Sequence, residues 1–341
     1  DHPDLVKTNT RNTTPFEHFL SDAMENIRDD MFSGKPIKGC ETCYKAEEQG
    51  SKSWREWKYN TIYEPAQVVE KVSLKLRILG SYCNLGCYMC SPYNSSTRRV
   101  ELQKSGISNF KSDDKVVNIS TKRYNETVQD ILNNIELVDH MHITGGEPLL
   151  LPRMWEMLDL ITLSDAKNIT LSFDTNLSSL TYKNYHIEQL AEKFKKIDLG
   201  VSCDHFGEKL HWIRYPLDVK QFERNISDSK HLISSINVTV SILNIMDLHA
   251  INDYYDNTVS FNGINKSPTM LSIRNLPIQL KHKIYQMYES DGFDILLDEL
   301  MSDPIPSDLE KGLDYCRKLD ANRPTDFDSI FHDLIKNIQS Y

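Results

Sequence analysis

Three cysteines stand in a Cys-x3-Cys-x2-Cys spacing within Ser81-Tyr82-Cys83-Asn84-Leu85-Gly86-Cys87-Tyr88-Met89-Cys90. Thiolates are soft ligands that suit iron–sulfur clusters. Cys83, Cys87 and Cys90 can bind three irons of a cubane and leave its fourth iron without a protein ligand. The alternative is a zinc ion with a fourth ligand elsewhere, although zinc modules favour paired Cys-x2-Cys. A second run, Thr144-Gly145-Gly146-Glu147-Pro148, follows about 55 residues on. Its glycines let a ligand approach the backbone closely. Glu147 can accept a charge-assisted hydrogen bond from an ammonium group.

The chain has seven cysteines, an odd count, and five of them fall in two tight clusters. That pattern excludes a disulfide framework and reads as metal binding in a reducing compartment. The second cluster is Cys40-Glu41-Thr42-Cys43. It offers two ligands to a further iron–sulfur cluster, with structural zinc or an idle pair as alternatives. Cys203 falls on the apolar parity of a strand and reads as a buried thiol. Cys316 lies in a helical stretch and reads as packing.

The elements that must position these residues begin near residue 72. Candidate strands at 72–80, 139–144, 168–175, 196–204, 236–243 and 269–275 alternate with helical stretches such as 122–136, 153–163, 183–195 and 218–233. Strand–helix alternation predicts parallel β/α units, either an incomplete barrel or a doubly wound sheet. The strands are not continuously apolar. Leu74, Leu76 and Ile78 alternate with Lys75 and Arg77, Ile169, Leu171 and Phe173 with Thr170, Ser172 and Asp174, and the other four behave alike. Period two places each set on one face. The apolar face takes the helices, and the polar face must meet water or a ligand. A hollow, ligand-holding barrel meets that requirement; a half-solvated antiparallel sheet is the plainer alternative. The cysteine run follows the first strand directly and Gly145-Gly146-Glu147 follows the second. Both therefore sit at strand C-terminal ends, where parallel folds bind ligands.

Together the two motifs resemble the signatures of the radical S-adenosylmethionine (SAM) superfamily. The resemblance implies an α/β fold, a partial (β/α)6 barrel of the radical SAM type with a cysteine-bearing N-terminal lead segment and a helical C-terminal extension. The corresponding divisions are 1–70, 71–276 and 277–341. It implies a [4Fe–4S] cluster on Cys83, Cys87 and Cys90 that reductively cleaves SAM to a 5′-deoxyadenosyl radical, which abstracts hydrogen from a substrate. It places Gly145, Gly146 and Glu147 against the SAM methionyl amine. Ser202 and Asp204 fall near its ribose, and Asn176, Arg214 and Arg274 are further cofactor-binding candidates by position. One departure is visible: the residue before the last cysteine is Met89 where the superfamily usually has an aromatic, with Tyr88 one place earlier.

Cys40-Glu-Thr-Cys43-Tyr44 with Glu47, Gly50, Ser53 and Arg55, and Cys90-Ser-Pro with Ser95-Ser96, resemble twitch-domain radical SAM proteins. That likeness implies an auxiliary iron–sulfur cluster with Cys40 and Cys43 among its ligands. It also implies a one-electron reductant such as flavodoxin or ferredoxin. The expected substrate is a peptide or protein. The alternatives are the same chemistry on a sugar, nucleotide or other small anion held by Lys75, Arg77 and Arg274, and a zinc-binding module without catalysis.

A formal net charge of −10 argues against a general nucleic-acid surface. The basic and aromatic stretch Ser51 to Lys58 could stack on nucleic acid or peptide, or pack beneath the lead segment. No apolar run is long enough to cross a bilayer. No secretory h-region opens the chain, so a cytoplasmic location is expected. The first residue is Asp1 rather than Met, so processing or truncation is expected too.

Overall fold

The computed structural model describes residues 13–48, 53, 71–77, 79–107, 119–256, 258–265, 267–305 and 309–341. Six strands form one sheet: β1 (Val72–Leu76), β2 (Val138–Ile143), β3 (Thr170–Thr175), β4 (Lys196–Ser202), β5 (Ile233–Val240) and β6 (Val259–Ile264). They are hydrogen-bonded in chain order, and every neighbouring pair is parallel. Of the two arrangements that strand–helix alternation predicts, this is the partial barrel, since a doubly wound sheet would reverse its strand order; the antiparallel alternative fails too.

Alternation governs burial as the sequence requires. Met141, Ile143, Leu171, Phe173, Leu199 and Val201 are buried on one face. The opposite face carries Lys75, His142, Ser172, Asp174, Ser202 and Asn237, all half-buried or exposed. Register aligns this polar row across strands, with Lys75 opposite His142, His142 opposite Ser172, Asp174 opposite Gly200 and Ser202 opposite Asn237. The apolar face is covered by helices Thr121–Asn133, Pro152–Leu160, Ile187–Lys193 and Val219–Asp228. They contribute Ile131, Trp155, Leu190 and Phe222 to the core.

The sixth strand differs from its expected place. Residues 269–275 form two short 3-10 turns, Thr269–Leu271 and Ile273–Asn275, and the strand is β6 instead. The two segments alternate equally well, and the Asn262-Gly263 pair inside β6 weakens its strand signal. Beyond residue 277 come helices Ile278–Tyr288, Asp294–Met301, Leu309–Asp320, Phe327–Ile330 and His332–Gln339. No helix among the described residues is long and apolar enough to cross a membrane.

Candidate functional site

The cysteine loop leaves the C-terminal end of β1 and is fixed by the helix that follows it, Ser96–Lys104. Ser95 caps that helix by accepting the Arg98 N–H, and its hydroxyl donates to the Leu85 carbonyl at 2.7 Å. Thr97 Oγ1 donates to the Cys83 carbonyl at 2.7 Å, and Ser96 Oγ lies 3.2 Å from both the Cys83 nitrogen and its carbonyl oxygen. Cys83 and Cys87 are buried and Cys90 is half-buried.

The Gly145–Glu147 turn docks on the same loop. The Glu147 N–H donates to the Tyr82 carbonyl at 2.8 Å. Gly146 has φ of +57°, and a Cβ there would stand 2.2 Å from the Tyr82 oxygen. The approach of the cysteine loop itself therefore requires glycine here. Glu147 is 1% exposed, and its carboxylate accepts from Thr175 Oγ1 at 2.7 Å, the Asn176 N–H at 2.7 Å and the Leu149 N–H at 3.1 Å. It thus ties the end of β2 to the end of β3. Burial pushes its carboxyl up to about 7 against the pull of these donors.

Several donors face the sulfurs. Leu85 N–H lies 3.5 Å from Cys83 Sγ, Asn176 Nδ2 lies 3.7 Å from the same atom, and Arg214 Nη1 lies 3.8 Å from Cys87 Sγ. Asn176 also donates to Asn84 Oδ1 at 3.1 Å. Arg214 pairs with the fully buried Asp204 carboxylate at 2.7 Å, while its buried Nε has no acceptor among the described residues. Asp204 Oδ1 accepts the Thr239 N–H at 2.8 Å. Ser202 ends β4, half-buried, on the polar face.

These residues fit the group that the sequence implies. Burial pushes the Cys83 and Cys90 thiols up to about 12, so the protein alone holds them protonated. A strongly thiophilic cation would hold them as thiolates. Amide and guanidinium donors stand ready for sulfur, one of them with a nitrogen still unmet. Among the described residues no three His, Cys, Asp or Glu side chains converge as ligands of a single ion. A cubane takes one thiolate at each of three irons, so its ligands surround it and do not meet at a point.

Arg274 is not part of this assembly. It lies in a 3-10 turn, donates from Nε to the Asp303 carbonyl at 2.8 Å and faces Glu299 at 3.9 Å. Its placement on a sheet strand is thereby corrected, since the segment carrying it packs with the C-terminal helices. Cys40 and Cys43 bracket the start of helix Glu41–Glu48, both half-buried. Ser53 hydroxyl bonds to Glu47 in the same region. Gly50, Arg55 and both tryptophans of the 51–58 stretch lie outside the described residues. Cys203 is buried, with Sγ 3.1 Å from the His205 carbonyl and from Tyr255 Oη, and Cys316 is buried on helix Leu309–Asp320. Both read as packing, as expected.

Two networks were not foreseen. On the polar face, Ser73 Oγ meets His140 Nδ1 at 2.8 Å, and Ser172 Oγ meets both His140 Nε2 and His142 Nδ1 at 2.8 Å. His142 Nε2 reaches Asp174 Oδ2 at 3.0 Å. Burial raises the Asp174 carboxyl, but His142, Thr144 and Lys75 together hold it below the ordinary range. Shared strand parity was the available signal. Behind the cysteine loop, Arg98, Glu101 and Arg323 form a closed ion network, all nearly inaccessible. The i,i+3 pair Arg98/Glu101 was visible in the sequence; Arg323, 222 residues from Glu101, was not.

A family model described as the radical SAM superfamily matches residues 78–254. Among solved structures, the chain is similar to one described as native anSMEcpe with bound AdoMet, at 19% identity and a TM-score of 0.41, over 66% of this chain and 62% of that one. It is also similar to Streptococcus suis SuiB bound to S-adenosylmethionine, at 16% identity and a TM-score of 0.37, over 81% of this chain and 60% of that one. The chain therefore spans less than two thirds of the length of either. No curated protein matches it.

Proposed function

Because the chain belongs to the radical SAM superfamily, we propose that it is a radical SAM enzyme whose cluster is held by Cys83, Cys87 and Cys90. The observation that carries this reading is the docking of two separate motifs at one sheet edge: the Gly145–Glu147 turn is hydrogen-bonded to the loop bearing the three cysteines. When bound, the [4Fe–4S] cluster and SAM supply a 5′-deoxyadenosyl radical that takes a hydrogen atom from the substrate.

The protein's part is placement and shielding. Burial of Cys83 and Cys87 would keep water from the centre, and the Leu85, Asn176 and Arg214 donors would steady thiolate charge once the cluster is bound. Gly145, Gly146 and Glu147 shape the wall beside the loop. Ser202, Asp204 and Asn176 border the same edge, where SAM would lie. Asp204 acts through Arg214, which it keeps charged against burial.

The proposed substrate is a peptide or protein. Support comes from the sheet order: among the described residues the two outer strands, β1 and β6, are not paired with each other, as in a barrel that is not closed. A small anionic substrate is the second reading, favoured by exposed Lys75 and Arg77 on that face. A twitch-type lead segment over 1–70, with an auxiliary cluster at Cys40 and Cys43, belongs to the same proposal, as do the 71–276 barrel, the 277–341 extension, a flavodoxin- or ferredoxin-like reductant and a cytoplasmic setting. Anaerobic reconstitution, reduction and assay for 5′-deoxyadenosine test the central claim. A cluster-loaded, reduced protein that leaves SAM intact overturns it.

A further inference from the structure

The backbone around Cys87 is gripped from two sides. On one side the Gly86 N–H donates to the Tyr215 carbonyl at 2.6 Å, and the Tyr88 N–H to the Ile213 carbonyl at 3.1 Å. On the other side two arginines take the opposite groups of the same two residues. Arg323 Nη2 donates to the Gly86 carbonyl at 3.0 Å, and Arg98 Nη2 to the Tyr88 carbonyl at 2.8 Å. Both residues flanking Cys87 thus have every backbone hydrogen-bonding group committed to other parts of the chain.

Arg323 comes from the C-terminal extension and its side chain is fully buried. Its Nε and Nη2 fork onto the two oxygens of Glu101 at 2.5 and 3.0 Å, and Nη1 donates to the Trp212 carbonyl at 2.7 Å. The guanidinium lies about midway in reach between two rings, 5.1 Å from Trp212 and 5.0 Å from Tyr215. Only a planar, five-donor cation meets these demands together. Glu101 also takes Arg98, so one carboxylate serves two guanidiniums. Asp320 accepts the Trp212 indole N–H at 2.8 Å and forms no ion pair with either arginine. The network keeps a net positive charge in a dry region, which is costly without a counter-charge. A thiolate-ligated iron–sulfur centre is such a counter-charge, and nearby charge sets its potential.

We propose that Arg323 is a positioning residue of the metal centre: with Arg98 and Glu101 it lets the C-terminal extension complete the cysteine loop and supplies buried positive charge behind Cys87. This rests on the radical SAM reading above. The test uses the full chain, anaerobically reconstituted, with cluster electron paramagnetic resonance, midpoint potential and the rate of iron release to a chelator as readouts. Arg323→Met is expected to move the potential to a more negative value and to release iron about 10–100-fold faster, the usual cost of losing an outer partner of a metal site. Arg323→Lys restores charge without the fork, so it is expected to keep the potential and still release iron faster. A wild-type chain that takes up no cluster overturns the function and this inference together. A cluster in Arg323→Met identical to wild type in potential and release overturns this inference alone. Where Arg323→Met does not fold, a folded Arg323→Lys with the wild-type release rate overturns it equally.

Discussion

Two polar networks of the molecule are built on opposite terms. The ladder Ser73–His140–Ser172–His142–Asp174 runs across the open face of β1, β2 and β3, and its last member is 46% exposed. The Arg98–Glu101–Arg323 network lies behind the cysteine loop with no member more than 8% exposed. Water can replace any lost partner in the first and none in the second. The open network can therefore change its partners at little cost. The closed one is high-stakes, because a buried charge without its partner is penalised in full.

The comparison can be broken in graded steps. Cys87→Ala, between the two residues that the closed network grips, is expected to abolish the proposed cluster altogether while circular dichroism shows an intact fold; SAM cleavage retained in that variant would contradict the ligand assignment. Next, Glu101→Gln leaves two buried guanidiniums facing a neutral amide. It is expected to lower unfolding free energy by about 3–5 kcal/mol in urea titrations of the cluster-free protein. A loss under 1 kcal/mol, on the order of a single neutral hydrogen bond, would show that the network is wetter than it looks.

Glu147 gives a pH-dependent step. Folded, its carboxyl holds a proton up to about pH 7; unfolded, it releases it in the ordinary range near 4.3. Between those values the folded chain binds more protons than the unfolded one. Stability of the cluster-free protein should therefore fall as pH rises through that window, by ~4 kcal/mol. A flat profile from this group, obtained by comparing wild type with Glu147→Gln, would mean that its three donors fully offset burial. The smallest effect belongs to the open ladder. Ser172→Ala removes the hydroxyl bridging His140 and His142, yet about 1 kcal/mol or less should be lost in thermal unfolding, since water can take its place. A loss as large as that of Glu101→Gln would erase the contrast between the two networks.

Much of this was legible in the residues themselves. Period-two alternation in 138–143, 170–175 and 196–202 announced both faces of the sheet, because a strand's side chains must alternate whatever surrounds them. The sixth strand was misplaced because two neighbouring segments alternate equally well and only pairing with β5 selects between them. Asn176 and Arg214, cofactor candidates by position alone, lie against Cys83 and Cys87, a contact that no local pattern announces. Arg274, named on the same ground, does not, because its segment leaves the sheet.

The sequence by itself determined the layered architecture and the two motifs that mark the superfamily. Both are written in short-range patterns: cysteine spacing, a Gly-Gly-Glu-Pro turn and alternating polarity. Only the tertiary structure decided that Gly146 makes room for the Tyr82 carbonyl, that Glu147 staples two strand ends, and that Arg323 reaches back to the loop around Cys87. Those contacts join residues far apart in the chain, and their energies depend on being shut away from water. No local pattern records burial of that kind; folding creates it.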